Sequence, residues 1–160
     1  MKLQYLSMIT VIEHLHRQFL DLVSAELERN AVQDINSIQA NILFNIGTSD
    51  LTVGELTLCG CYLGSNVSYN VKKLVETGYL IQQRSAQDRR SVRVRLSPKG
   101  LSLCADIDAM HDRHLALMSS GPIDAAAVAD TLTTLRRFDR FWSRMAEQGL
   151  QPGALTVRAA

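Results

Sequence analysis

No local pattern in this sequence marks an enzyme. A Gly-rich phosphate loop, a nucleophile elbow, an HExxH pair and a paired-CxxC zinc pattern are all missing. Catalysis would have to be assembled from unmarked residues, so the chain reads as a non-enzyme with no cofactor. No apolar run is long enough to span a bilayer, and Met1-Lys2 is not followed by a secretory apolar stretch, which makes the cytoplasm the expected location. Cysteine is scarce: Cys59, Cys61 and Cys104 are an odd count, which fits a reducing compartment better than a disulfide scaffold. No internal repeat or low-complexity tract is apparent. What remains is a 160-residue chain with 46% hydrophobic and 21% charged residues, the composition of a soluble globular protein long enough for one domain with its own core.

Net charge is also nearly absent, at +1, but the balance is uneven along the chain. Between Ser65 and Gly100 stand eight basic residues (Lys72, Lys73, Arg84, Arg89, Arg90, Arg93, Arg95 and Lys99) against Glu76 and Asp88 alone. A basic module on an otherwise acidic body suggests a polyanionic partner; the plainer alternative is a solvated face.

Periodicity predicts a mainly α chain. Leu6, Ile9, Ile12, Leu15, Phe19, Leu22 and Val23 recur at helical spacing in one long helix over Leu3 to Arg29. A second helix fits Asn36 to Ile46, stopped by Gly47. A short third runs from Thr52, an N-cap with Glu55 three residues on, to about Cys61. Ser65 to Thr77, "SNVSYNVKKLVET", is a fourth, with Ser65 as N-cap and Gly78 after it. Val67, Val71 and Leu74 share its apolar stripe, which turns Ser65, Asn66, Ser68, Tyr69, Lys72 and Lys73 the other way. Those amide, hydroxyl, phenol and ammonium groups suit base edges and phosphates. "YLIQQR" and "SVRVRL" then read as two strands of a hairpin around a basic tip. Val92, Val94 and Leu96 alternate with Arg93 and Arg95, a strand with one face buried. Pro98 to about Ser119 is helical, with Leu101, Cys104, Ile107 and Leu115 among its apolar positions. A last helix over Ile123 to Gln148 places Val128, Leu132, Leu135, Phe138, Trp142 and Met145 on one side.

Short helix, turn, polar-faced helix, strand, basic tip, strand is the order of a winged helix-turn-helix, whose second helix enters the major groove of DNA. Arg89 and Arg90 at the tip would meet a groove, where a narrow A·T minor groove attracts arginine. Arg93 and Arg95, on the outward strand face, would lie near phosphates. Asp88 would be repelled by DNA, so its role is internal, pairing with an arginine to fix the tip. The alternative is a surface hairpin whose arginines deter edge pairing.

"DRRSVRVRLSPKG" resembles the wing signature of the MarR family of bacterial transcription regulators: Asp-x-Arg, a strand, then Leu-Thr/Ser-x-x-Gly, matched by Asp88, Arg90, Leu96, Ser97 and Gly100. "VSYNVKKLVETGYL" resembles the family's recognition helix and following strand, and the flanking long helices resemble its dimerisation helices, so the likeness covers nearly the whole chain. "GCYLGSNVSYN" departs from the commoner family turn and is similar to a branch of alphaproteobacterial members that includes regulators of L,D-transpeptidase genes. The resemblance implies a homodimer on a pseudo-palindromic double-stranded DNA operator. Residues 1–148 would form one domain, with the winged helix-turn-helix at about 50–97, dimerisation helices at about 3–29 and 98–148, and a tail over 149–160. The two long apolar helices at the ends support a dimer independently, because a monomer would struggle to cover them.

Many members of the family respond to a small aromatic ligand, an oxidant or a metal. The resemblance implies a ligand crevice between dimer helices and winged domain, which His16, Phe19, Asn41, Asn45 and His111 would line; core packing is the simpler role for Phe19. The basic residues nearest Cys59 and Cys61 in sequence, Lys72 and Lys73, are too far along to count, and Cys104 sits at an apolar position, so the cysteines read as buried small hydrophobes rather than redox sensors. His14 and His16, two apart on a helix, point in different directions. His111 and His114, with Asp108 and Asp112, are better read as structural histidines than as a zinc site, and no metal is expected. Two readings compete with an effector-modulated DNA regulator: a winged-helix protein-interaction module without DNA, and a metal- or redox-responsive regulator of the same fold.

Overall fold

The computed structural model describes residues 1–59, 64–84, 92–119 and 121–148. Its elements are α1 (Lys2–Arg29), α2 (Ser37–Ile46), β1 (Leu51–Thr52), α3 (Val53–Cys59), α4 (Gly64–Glu76), β2 (Leu80–Arg84), β3 (Val92–Leu96), α5 (Pro98–Met118) and α6 (Ala125–Glu147). They group into two compact units, residues 1–112 and 113–160, with the division inside α5.

In the first unit the core gathers around α2. Ile42, Leu43 and Ile46 are fully buried, with Leu56 of α3, Val67, Val71 and Leu74 of α4, Val94 and Leu96 of β3, and Leu103, Ile107 and Met110 of α5. α1 reaches this core through its C-terminal half, with Val23 and Leu27 buried and Phe19 packed against the core. The sheet is antiparallel with order β1-β3-β2, and the register pairs Leu80 with Leu96 and Gln82 with Val94. β1 is a strand that periodicity does not announce. Its two residues pair with Val94 and Arg93, and two residues are too few to show an alternation.

Helix ends follow side-chain chemistry. Asn36 caps α2 in a reciprocal box: its Oδ1 accepts the Gln39 amide at 2.9 Å, and Gln39 Oε1 accepts the Asn36 amide at 3.1 Å. Thr52 and Glu55 make the same exchange at the start of α3, at 3.1 and 2.7 Å. α4 begins at Gly64, so Ser65 lies within its first turn rather than at the N-cap. α4 ends in a Schellman motif, with Gly78 at φ +79°, its amide donating to Val75 O and the Tyr79 amide to Leu74 O. In α5 the inward stripe is Leu103, Ile107 and Met110, spaced by four and three residues. Leu101 and Leu115 fall off that stripe and are exposed.

In the second unit α6 is capped by Asp124, whose Oδ1 accepts the Ala127 amide at 2.7 Å. The cap sets the start two residues after the expected Ile123. No residue of α6 is buried, and Val128, Leu132, Leu135, Phe141 and Met145 stand exposed beside the Phe138–Trp142 ring pair.

Candidate nucleic-acid interface

α4 is divided lengthwise. Val67, Val71 and Leu74 are buried, while Ser68, Tyr69, Lys72 and Lys73 are exposed, Tyr69 to 69%. A phenol left that open on a helix whose other face is sealed has no packing role. Lys72 has Glu76 beside it, at 4.0 Å and with both side chains exposed, a pair too weak to hold the ammonium against a phosphate. Ser65 and Asn66 lie in the first turn of α4; their side chains fall outside the described residues.

What aims this helix is visible on its inner side. Gln39 uses its oxygen in the α2 cap and donates its Nε2 to Asn70 Oδ1 at 3.2 Å. One buried side chain thus fixes the start of α2 and tethers α4 next to Tyr69. Sequence reading assigned Gln39 no role. The capping spacing Asn36-x-x-Gln39 was legible, but its second bond spans 31 positions.

The strand arginines differ from each other. Arg95 is exposed. Arg93 is half-buried and turned onto the loop before β1, where its Nε lies 3.2 Å from Asp50 Oδ1 and its Nη2 donates to Asp50 O. This ties β1 to β3, so Arg93 does not stand open toward phosphate as the alternation suggested. The tip residues Asp88, Arg89 and Arg90 lie outside the described residues, as does most of the turn preceding α4.

The residues expected to line a ligand crevice separate into two sets. His111 stacks on Phe19 with centroids 6.1 Å apart and meets Phe44 edge-on at 4.9 Å. Asn41 is half-buried one helical turn before Phe44, whereas His16 and Asn45 are exposed. Phe44 is the member sequence reading missed. A cleft of about 500 Å³ runs along Ser24, Leu27, Val32, Ile35 and Ser37, and none of the five expected residues lines it. Burial pushes the Cys104 thiol up to about 11, the direction that disarms a thiol. Cys61 and the side chain of Cys59 lie outside the described residues. Among the described residues no group of three or more His, Cys, Asp or Glu side chains is gathered as a metal ion would need, and no helix is long and apolar enough to cross a membrane.

Comparison with known proteins agrees with this geometry. A model of the MarR family matches residues 33–91. The exopolysaccharide II synthesis transcriptional activator of Rhizobium meliloti is 37% identical over 146 residues, spanning 91% of this chain and 75% of that protein. FabT of Streptococcus pneumoniae, solved in complex with DNA, superimposes with a TM-score of 0.70 at 20% identity, over 88% of this chain and 98% of its own. A MarR transcriptional regulator from Methanosarcina mazei gives 0.71 at 24% identity, over 86% and 98%. At these identities the two structures establish the shared winged-helix fold.

Proposed function

The chain belongs to the MarR family of transcription regulators, and on that premise we propose that it acts in the cytoplasm as a homodimer that binds a pseudo-palindromic double-stranded DNA operator and regulates transcription. The observation that carries this reading is the split face of α4. Its apolar stripe is sealed in the core, while Ser68, Tyr69, Lys72 and Lys73 are turned outward together. In this reading Ser65, Asn66, Ser68 and Tyr69 meet base edges in the major groove, and Lys72, Lys73 and Arg95 meet phosphates. Arg89 and Arg90 reach a neighbouring groove from the tip, steadied by Asp88. Arg93 holds the wing's root through Asp50.

Two features support the dimer. α6 has no buried residue, and most of α1 lies outside the core of its unit, with Leu6, Leu15 and Leu22 exposed. Apolar faces of this length are covered in solution by another surface. A two-fold pair would present two copies of α4 to half-sites about one helical turn apart. The Phe19–His111–Phe44 cluster, with Asn41 beside Phe44 on α2, is our candidate place for a small aromatic effector, since a planar ligand could replace one ring of the stack.

The test is a mobility shift with a pool of genomic fragments that includes the gene's own promoter region. The reading expects retention of a few fragments that weakens steeply with salt. A protein that retards nothing at low salt would instead be a protein-interaction module on the same fold.

A further inference from the structure

Three distant segments meet at one carboxylate. Asp34, in the corner between α1 and α2, accepts a hydrogen bond from Tyr79 Oη at 2.8 Å on one oxygen and from Lys99 Nζ at 2.7 Å on the other. Tyr79 is the residue at which the chain leaves α4 for β2; Lys99 lies in the first turn of α5, just after β3. The Lys99 ammonium also donates to Thr77 O at 3.0 Å, at the carbonyl end of α4, and sits 4.0 Å from the centre of the Tyr79 ring. A cation is favoured both there and over that ring. Burial opposes ionisation of Asp34, but the bonds from Lys99 and Tyr79 outweigh it and hold the carboxyl below its ordinary range.

The backbone around this point is equally committed. Ser97 Oγ donates to Gly78 O at 2.6 Å and accepts the Gly100 amide at 3.0 Å, and the Ser97 amide donates to Tyr79 O. A Cβ on Gly100 would lie 2.3 Å from Tyr79 O. The exit of α4 and the root of the wing are therefore in contact through backbone, and the Asp34–Tyr79–Lys99 trio fastens both to the α1–α2 corner.

We propose that Asp34, Tyr79 and Lys99 are positioning residues for DNA recognition: a clamp that sets the reading helix and the wing in one fixed relation, so that both can engage a duplex at once. Lys99, though it belongs to the basic run, serves this clamp and contacts no phosphate. The inference rests on the DNA-binding reading. It gives it a specific consequence: loss of the clamp degrades fit to the correct sequence without removing a charge contact.

The experiment uses the full chain, a duplex selected by the wild-type protein from a random-sequence pool, and a scrambled duplex, each at several salt concentrations. Asp34→Asn, Tyr79→Phe and Lys99→Met should each lower affinity for the selected duplex about three- to tenfold, the scale of one typical net hydrogen bond. Scrambled DNA should be bound as before, with the salt slope unchanged. Lys99→Arg, which keeps a cation in reach of Asp34, should restore most of the preference. Asp34→Asn combined with Lys99→Met should lose no more than either alone, because coupled partners do not add. Tyr79→Phe removes only a hydroxyl and keeps the test valid should Lys99→Met fail to fold. If Lys99→Met weakens both duplexes alike and flattens the salt slope by about one, Lys99 is a phosphate contact and the clamp is wrong. If all three variants keep the wild-type preference, the clamp is wrong while the DNA reading stands. A wild-type protein that selects no duplex overturns both.

Discussion

Ala31 ends α1 in a conformation that alanine disfavours. Its φ is +55°, its amide donates to Glu28 O, and the Val32 amide donates to Leu27 O, which is the bond pattern of a Schellman turn with the glycine position occupied by alanine. A left-handed non-glycine residue costs roughly 1–2 kcal/mol, partly offset by the smaller entropy alanine loses on folding. Ala31→Gly should therefore stabilise the protein by about 0.5–1 kcal/mol, read as a raised midpoint in urea; a lowered midpoint would show that the turn is not strained. Cys104 belongs to the same scale. With its thiol pushed up to about 11 by burial, it carries almost no thiolate at neutral pH, so Cys104→Ser should leave DNA binding after peroxide treatment the same as in the wild type. Peroxide release that disappears in Cys104→Ser would make this thiol a sensor. Arg93 shows what single residues conceal. Alternation placed it correctly on the outward face of β3, but its partner Asp50 lies 43 positions away, and no local pattern announces a pairing across that distance.

Among elements, the legible parts were those set by local chemistry. α1, α2, α4, β2, β3 and α5 follow the apolar periods and the Gly47, Thr52 and Gly78 signals to within a residue or two. β1 escaped because two residues carry no period, and the start of α4 shifted because Gly64 takes a helical conformation ahead of Ser65. The polar face of α4 was readable from spacing alone. The devices that aim it, Gln39 on Asn70 and Lys99 on Asp34, were not, because they join positions 31 and 65 apart. The join between β3 and α5 gives the prediction at this scale. Gly100 packs its Cα against Tyr79 O so closely that a methyl group would sit 2.3 Å away, and a backbone oxygen can yield only if the sheet and α5 separate. Gly100→Ala should cost about 1–3 kcal/mol, as overpacking does, and an unchanged denaturation midpoint would show that this junction is loose.

At the scale of the whole molecule, periodicity marked α6 as amphipathic and the structure leaves all of it unburied within its unit. We expect Leu132, Leu135 and Phe138 to be covered in a dimer. Light scattering at micromolar concentration should give twice the 17.8 kDa chain mass, and Leu135→Glu should shift the protein toward monomer, because an unpaired carboxylate buried in an apolar seam is costly. A stable wild-type monomer would contradict this. The central claim is that α4 reads bases while the wing strand holds backbone. The most direct measurement is binding of wild type, Asn66→Ala and Arg95→Ala to a selected duplex and its scrambled counterpart across a salt series. The account predicts that Asn66→Ala loses roughly 1–3 kcal/mol on the selected duplex and little on the scrambled one, whereas Arg95→Ala weakens both and flattens the salt slope by about one unit. Equal losses on both duplexes for Asn66→Ala, with Arg95→Ala affecting the selected duplex alone, would contradict it.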